Sequence, residues 1–128
     1  MPLKIADAEL EVMRILWREN RPLSFAEIRT ELERKMNWNK STIQTLVVRL
    51  RDKHVISAEN NYVTLYRPKV SEQEYVAVEE KTFLDKLFDG SAKKLVAALC
   101  QSGQLDARDI DELKQFFIVE DHKNELTI

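Results

Sequence analysis

Between Asn39 and Leu50 the chain carries Ile43, Leu46, Val47 and Leu50 at i, i+3, i+4 and i+7, a spacing that places all four on one side of an α-helix. Asn39 stands where its side chain can cap the first turn. The opposite side presents Ser41, Gln44, Thr45, Val48 and Arg49, hydrogen-bonding and cationic groups with no acid among them. A helix whose outer side only meets water usually intersperses Glu. This one reads as a helix with a core on one side and a polyanion on the other.

The neighbouring segments constrain it further. Leu10, Met13 and Trp17, widened by Ile15 and Leu16, predict a helix over about Ala8 to Arg18, with Asp7 as its N-cap and Asn20-Arg21-Pro22 as its stop. Ser24-Phe25-Ala26-Glu27 has capping-box spacing and opens a second helix that turns Ile28 and Leu32 inward. After the third helix, Val55-Ile56-Ser57 and Tyr62 to Tyr66 read as two short strands around Ala58–Asn61, where Asn60-Asn61 suits a tight turn. Three helices followed by a β-hairpin is the order of a winged helix-turn-helix. In that fold the third helix enters the major groove, and flanking cations hold phosphate. Gln44 and Thr45 are then candidate base readers, with Ser41 and Thr42 beside them. Lys40, Arg49, Arg51 and Lys53 are candidate phosphate contacts, and Arg67 at the end of the hairpin is a further one.

Beyond Pro68 the pattern is helical and acidic. Ser71-Glu72-Gln73-Glu74 is another capping box, opening a helix to about Asp89 that Gly90 can stop. Ser91 caps a short helix with Leu95, Val96 and Leu99. Asp106 caps a last one with Ile110, Leu113, Phe116 and Phe117, and the residues after Asp121 read as a frayed tail. Three amphipathic helices of this size bury little surface alone, so the segment is expected to pack on a copy of itself. The expected organisation is a mostly α chain, with a winged-helix DNA-binding domain at 1–70 and a helical dimerisation domain at 71–128. Phe83, Phe88, Phe116 and Phe117 read as core or interface before they read as a ligand pocket.

Charge divides the same way. Residues 1–68 hold 12 Lys and Arg against nine Asp and Glu, a net of +3, whereas residues 69–128 hold eight against 13, a net of −5. Cations are densest from Arg34 to Lys53, where Asp52 is the lone acid. Only two Gly and three Pro occur, which disfavours sandwiches and barrels rich in tight turns. The lone Cys100 excludes an internal disulfide, and its apolar surroundings, LVAALC, predict a buried thiol. His54 and His122 have no ligand-spaced Cys or carboxylate, so neither a metal site nor a cofactor site is expected, and the acid pairs suggest no catalytic site. With no long apolar run, and no signal-peptide stretch in MPLKIADAEL, the expected location is the cytoplasm, without direct membrane binding.

ADAELEVMRILW, WNKSTIQTLVVRLRDKHVI and the hairpin ending LYRPKVS resemble the penicillinase-repressor family of bacterial transcription factors, which includes the methicillin-resistance repressor. The resemblance covers nearly the whole chain. Thr42-Ile43, Thr45-Leu46 and Arg49-Leu50 match the family's recognition helix, while Leu95-Val96 and Asp111-Glu112-Leu113 match its dimerisation region. It implies a homodimeric, non-enzymatic repressor of β-lactamase-type resistance genes, bound to inverted-repeat double-stranded operators with TACA/TGTA half-sites. It also implies relief of repression by proteolysis in the dimerisation region, triggered by a membrane-bound sensor-protease. Copper-responsive siblings carry a carboxy-terminal cysteine cluster that this chain lacks.

Three positions depart from the family pattern. Gln44 and Val48 stand where resistance repressors tend to carry Arg and Thr. His54 replaces a common Gly, and the scissile Asn-Phe pair maps onto Ala98-Leu99. Two other readings compete with the operator-binding one. One is a protein-interaction module built on a winged-helix scaffold, and the other is a repressor that senses a small molecule directly.

Overall fold

The computed structural model describes residues 4–127, with side chains described as far as Ile118. The elements run α1 (Asp7–Glu19), β1 (Leu23–Ser24), α2 (Phe25–Met36), α3 (Lys40–Asp52), β2 (Ile56–Asn60), β3 (Thr64–Pro68), α4 (Glu72–Phe88), α5 (Ala92–Gln101) and α6 (Ala107–Thr127). The chain forms two compact units, Met1–Glu79 and Glu80–Ile128, with the division inside α4.

The first unit is built around one apolar cluster. Val12, Met13 and Leu16 of α1, Ile28 and Leu32 of α2, and Ile43 and Leu50 of α3 are fully buried, with Leu46 and Val47 beside them. Val55 and Ile56 close the cluster from the hairpin and Leu23 from β1. Burying each such side chain stabilises the fold by about 1.5–3 kcal/mol before the entropy of ordering is subtracted. The three-stranded antiparallel sheet has the order β1-β3-β2, with Leu23 opposite Tyr66 and Ala58 opposite Tyr66 on the other side.

The ends of the helices follow local chemistry. Ser24 Oγ accepts from the Glu27 N–H at 3.2 Å while Glu27 accepts from the Ser24 N–H at 3.1 Å, so the expected capping box forms. Asn39 Oδ1 accepts from the Thr42 N–H at 2.8 Å. Asn20 and Asn37 end α1 and α2 in the left-handed region at φ 52° and 58°, which Asn tolerates better than most residues. Trp17 Nε1 donates to the Val70 carbonyl at 2.8 Å, and its ring lies 5.7 Å from that of Tyr75, which ties the start of α4 to the first unit.

Several sequence expectations are corrected. The N-cap of α1 is Ala6, not Asp7, because Glu9 reaches back to the Ala6 N–H at 2.8 Å. The strands lie about two residues further along than expected. Asn60 pairs with Thr64, leaving Asn61-Tyr62-Val63 as the loop. The last helix continues past Asp121 to Thr127, since no Gly or Pro interrupts it. Cys100 is exposed: Leu95, Ala98 and Leu99 occupy the inward side of α5, and the next residue turns away from it.

In the second unit, α5 is capped by Ser91, whose hydroxyl accepts from the Lys94 N–H at 3.1 Å, and α6 by Asp106, which accepts from the Asp109 N–H at 2.9 Å. No described side chain of this unit is fully buried. Leu84, Phe88, Leu95, Leu99 and Ile110 are half-buried, while Phe83, Leu87, Val96 and Leu113 are exposed and Phe116 and Phe117 are 74% and 72% exposed.

Candidate nucleic-acid interface

The inner side of α3 fills the core, so the helix can present only its other side. Lys40, Ser41, Thr42, Gln44, Thr45, Val48, Arg49 and Arg51 are all exposed. Ser41, Gln44, Thr45, Val48 and Arg49 line one shallow concavity. An adjoining groove runs from Gln44, Val48, Lys40 and Arg51 to Tyr62 and Thr64 of the hairpin and Ser24 at the start of α2. The structure therefore gathers the expected α3 residues on a single surface, with the hairpin loop at its edge.

The electrostatics of this surface differ from those of the other two helices of the unit. The first turn of α1 contains Asp7 and Glu9, and that of α2 contains Glu27, whereas the first turn of α3 contains no acid. Its positive dipole end is thus left uncompensated next to Lys40, a setting that favours an external anion such as phosphate. Among the described residues, neither Lys40 nor Arg49 has an acidic partner within ion-pair distance, and Arg51 meets Asp52 only at 4.0 Å. These cations are available for phosphate. The Thr45 hydroxyl donates to the Ser41 carbonyl at 3.0 Å, so the residue offers a methyl group and an oxygen lone pair rather than a proton. Among the described residues Gln44 has no side-chain hydrogen-bond partner.

Two expected phosphate contacts are placed differently. Lys53 Nζ donates to Glu9 Oε1 at 2.6 Å and to the Lys4 carbonyl at 3.0 Å, so its ammonium is engaged inside the unit. Arg67 pairs with Glu59 at 3.1 Å across the hairpin, where both groups are exposed and the pairing is weak. Sequence reasoning missed Tyr62 and Val63. Both are apolar and exposed at the tip of the loop, and their signal was the alternation that continued a strand.

Elsewhere on the unit, arginines of α1 and of the connection after it pair with α2. Arg18 reaches Glu31 at 3.1 Å, and Arg21 reaches Glu27 at 2.6 Å. Hydrogen bonding from Arg21 holds Glu27 below the ordinary carboxylate range, and Arg18 does the same to Glu31. Among the described residues no three His, Cys, Asp or Glu side chains stand together as metal ligands, and no helix is long and apolar enough to cross a membrane.

Residues 5–118 match the family model described as penicillinase repressor. The chain belongs to the penicillinase repressor family. It is 34% identical over 122 residues to a penicillinase repressor of Bacillus licheniformis, covering 94% of this chain and 93% of that one. It is 30% identical over 112 residues to the methicillin resistance regulatory protein MecI of Staphylococcus aureus, covering 87% of this chain and 90% of that one. The solution structure of the DNA-binding domain of the repressor BlaI superposes with a TM-score of 0.53 at 33% identity, covering 59% of this chain and 92% of that domain. BlaI of B. licheniformis in monomeric form, in complex with the blaP half-operator, gives 0.52 over the same share. The family consists of winged-helix, DNA-binding transcriptional repressors, not enzymes.

Proposed function

We propose that this protein is a cytoplasmic homodimeric repressor whose two α3 helices read an inverted-repeat operator controlling β-lactamase-type resistance genes. The observation that carries the reading is the exposed side of α3, acid-free and with an uncompensated N-terminus, beside unpaired Lys40 and Arg49. Gln44 and Thr45 read base edges, the amide suiting adenine and the Thr methyl suiting thymine, with Ser41 and Thr42 alongside. Lys40, Arg49 and Arg51 hold phosphate, and Arg67 joins them by exchanging Glu59 for the duplex. In this reading residues 1–70 bind DNA and residues 71–128 supply the dimer, although the compact units divide later, inside α4 after Glu79, because Tyr75 packs on Trp17. The exposed Leu113, Phe116 and Phe117 support self-association, since such side chains together on a lone protomer favour a partner.

Relief of repression through a sensor-protease is supported by the setting of Ala98-Leu99. The pair lies in a ten-residue helix with no fully buried side chain, between Gly90 and Gly103. The Ser102 N–H donates to the Ala98 carbonyl at 3.0 Å, so the helix must open locally before this bond enters a protease cleft.

Selection of duplexes from a randomised pool by the full chain tests the repressor reading. Enrichment of an inverted repeat, with affinity falling about 10³–10⁵-fold between 50 and 200 mM salt if six to ten phosphates are contacted, is expected. Failure to enrich any sequence overturns it in favour of a protein-interaction module. Mass spectrometry of the repressor from β-lactam-treated cells tests the cleavage. Full derepression with only intact chain replaces cleavage with direct ligand sensing.

A further inference from the structure

We infer that Lys53 and Glu9 are a positioning pair that sets the angle of α3 against α1, and that Lys53 remains in this pair when DNA is bound. The inference rests on the repressor reading of α3 and changes the role of one residue within it.

Glu9 is 1% exposed, the one charged side chain among the buried residues described. Its place is explained by the residue at the start of α1. Ala6 has no side-chain acceptor, so the carboxylate three positions on takes the Ala6 N–H at 2.8 Å. That draws the carboxylate inward, and Lys53 Nζ meets the same oxygen at 2.6 Å. The second oxygen, Oε2, is buried with no partner. A buried carboxylate with one orphaned oxygen depends heavily on the cation that remains.

Lys53 caps the C-terminus of α3, and its N–H donates to the Arg49 carbonyl at 3.0 Å. The next residue, His54, turns the chain into the hairpin at φ 62°. Lys53 Nζ also donates to the Lys4 carbonyl. One ammonium thus joins the entry to α1, the buried end of that helix, and the junction between α3 and the hairpin. Leaving this site for a phosphate strands the Glu9 carboxylate in the core, whereas Lys40 and Arg49 give up no acidic partner. A small rotation of α3 displaces Gln44 and Thr45 from base edges while backbone attraction persists. The pair therefore acts on discrimination between sequences more than on the number of phosphates held.

The test uses the full chain, the duplex enriched in the selection experiment and a scrambled duplex, with binding followed by fluorescence anisotropy across a salt series. Lys53→Gln and Glu9→Gln are each expected to lower the ratio of selected to scrambled affinity about tenfold. The slope of log affinity against log salt is expected to stay unchanged, and the double variant to be no worse than either single one. Arg49→Gln is the contrast, lowering the slope by about one per protomer. The pairing is overturned if Lys53→Gln lowers the slope as Arg49→Gln does while Glu9→Gln binds as tightly as the unchanged chain or tighter, because Lys53 is then a phosphate contact. A loss of stability without any change in the affinity ratio of folded protein overturns it as well.

If these variants do not fold, nitrogen-15-labelled lysine in the unmutated chain decides. The Lys53 ammonium resonance is expected to hold its position on addition of the selected duplex, while that of Lys40 shifts. A Lys53 shift matching that of Lys40 overturns the inference. A chain that enriches no duplex fails the repressor reading instead, so the two failures are distinguishable.

Discussion

Met1–Glu79 and Glu80–Ile128 are both rich in helix, yet among the described residues only the first shows an interior. Fourteen apolar side chains are buried among the described residues, and all of them belong to the first unit. In the second, apolar residues at helical spacing are half-buried or exposed. The contrast shows that amphipathic spacing specifies a surface to be covered and leaves open what covers it. In the first unit the chain itself does so, through three helices and a sheet. In the second, Leu113, Phe116 and Phe117 stay exposed.

The contrast breaks most visibly on truncation. Residues 1–79 alone are expected to remain folded and monomeric by circular dichroism and sedimentation. They are expected to bind the selected duplex about 10²–10⁴-fold more weakly by anisotropy, because two linked half-site contacts become one. An unfolded fragment contradicts the independence of the first unit, and a fragment of full affinity removes the second from operator binding.

Truncating the fully buried Ile43 is next in size. Ile43→Ala is expected to cost about 2–5 kcal/mol in urea unfolding. Phe116→Asp, at an exposed position, is expected to leave the stability of the first unit unchanged while shifting the sedimentation equilibrium toward monomer. If Phe116→Asp remains dimeric, the exposed side of α6 is not the interface.

Smaller still is the sequence preference. Gln44→Ala is expected to lose about 1–3 kcal/mol of discrimination at one base pair, whereas Lys40→Ala weakens selected and scrambled duplexes alike. Equal losses on both duplexes for both variants contradict the division of roles on α3.

The smallest effect separates the units by pH. Glu27 and Glu31 are held below the ordinary carboxylate range in the folded first unit, chiefly by Arg21 and Arg18. Their pairing stabilises the fold above the unfolded carboxylate range and stops doing so as pH falls through the folded values. An Arg18→Ala, Arg21→Ala double variant is therefore expected to differ modestly from the unchanged chain at neutral pH and to converge with it in acid. A difference that persists in acid denies the ion pairs this role. Salt is expected to shrink the difference too, since Arg18, Arg21 and Glu27 are exposed.

The parts legible in the sequence were those decided within one helical turn. Ser24 with Glu27, Asn39 before Lys40, and the stripe from Ile43 to Leu50 are each a local bargain between side chain and backbone, and each formed. His54, which stands where the family commonly has Gly, sits in the left-handed region at φ 62°, a conformation of the same local kind. Apart from the α1 cap, where Glu9 serves Ala6 from three residues on, what was missed depends on distant residues. The strand Leu23–Ser24 exists because Leu65 and Tyr66 arrive to pair with it. Asn60 joined a strand because Thr64 stands opposite, although Asn60-Asn61 alone suits a turn. The cations on α3 were visible as cations. Which of them was already occupied was not, since Glu9 lies 44 residues from Lys53.

The two glycines lie on either side of α5, Gly90 at φ 76° directly after Asp89 at φ 52°, and Gly103 at φ 82°, while the left-handed turns described in the first unit are made by Asn20, Asn37 and His54. Residues with a Cβ hold such turns more stiffly than Gly, because fewer backbone conformations compete with them. The chain is thereby given two clocks. Amide protons of α3, whose inner side is closed in by a core, are expected to exchange with solvent only as often as the first unit opens. Those of α5, set between two glycines with no fully buried side chain, are expected to keep the faster time of local opening.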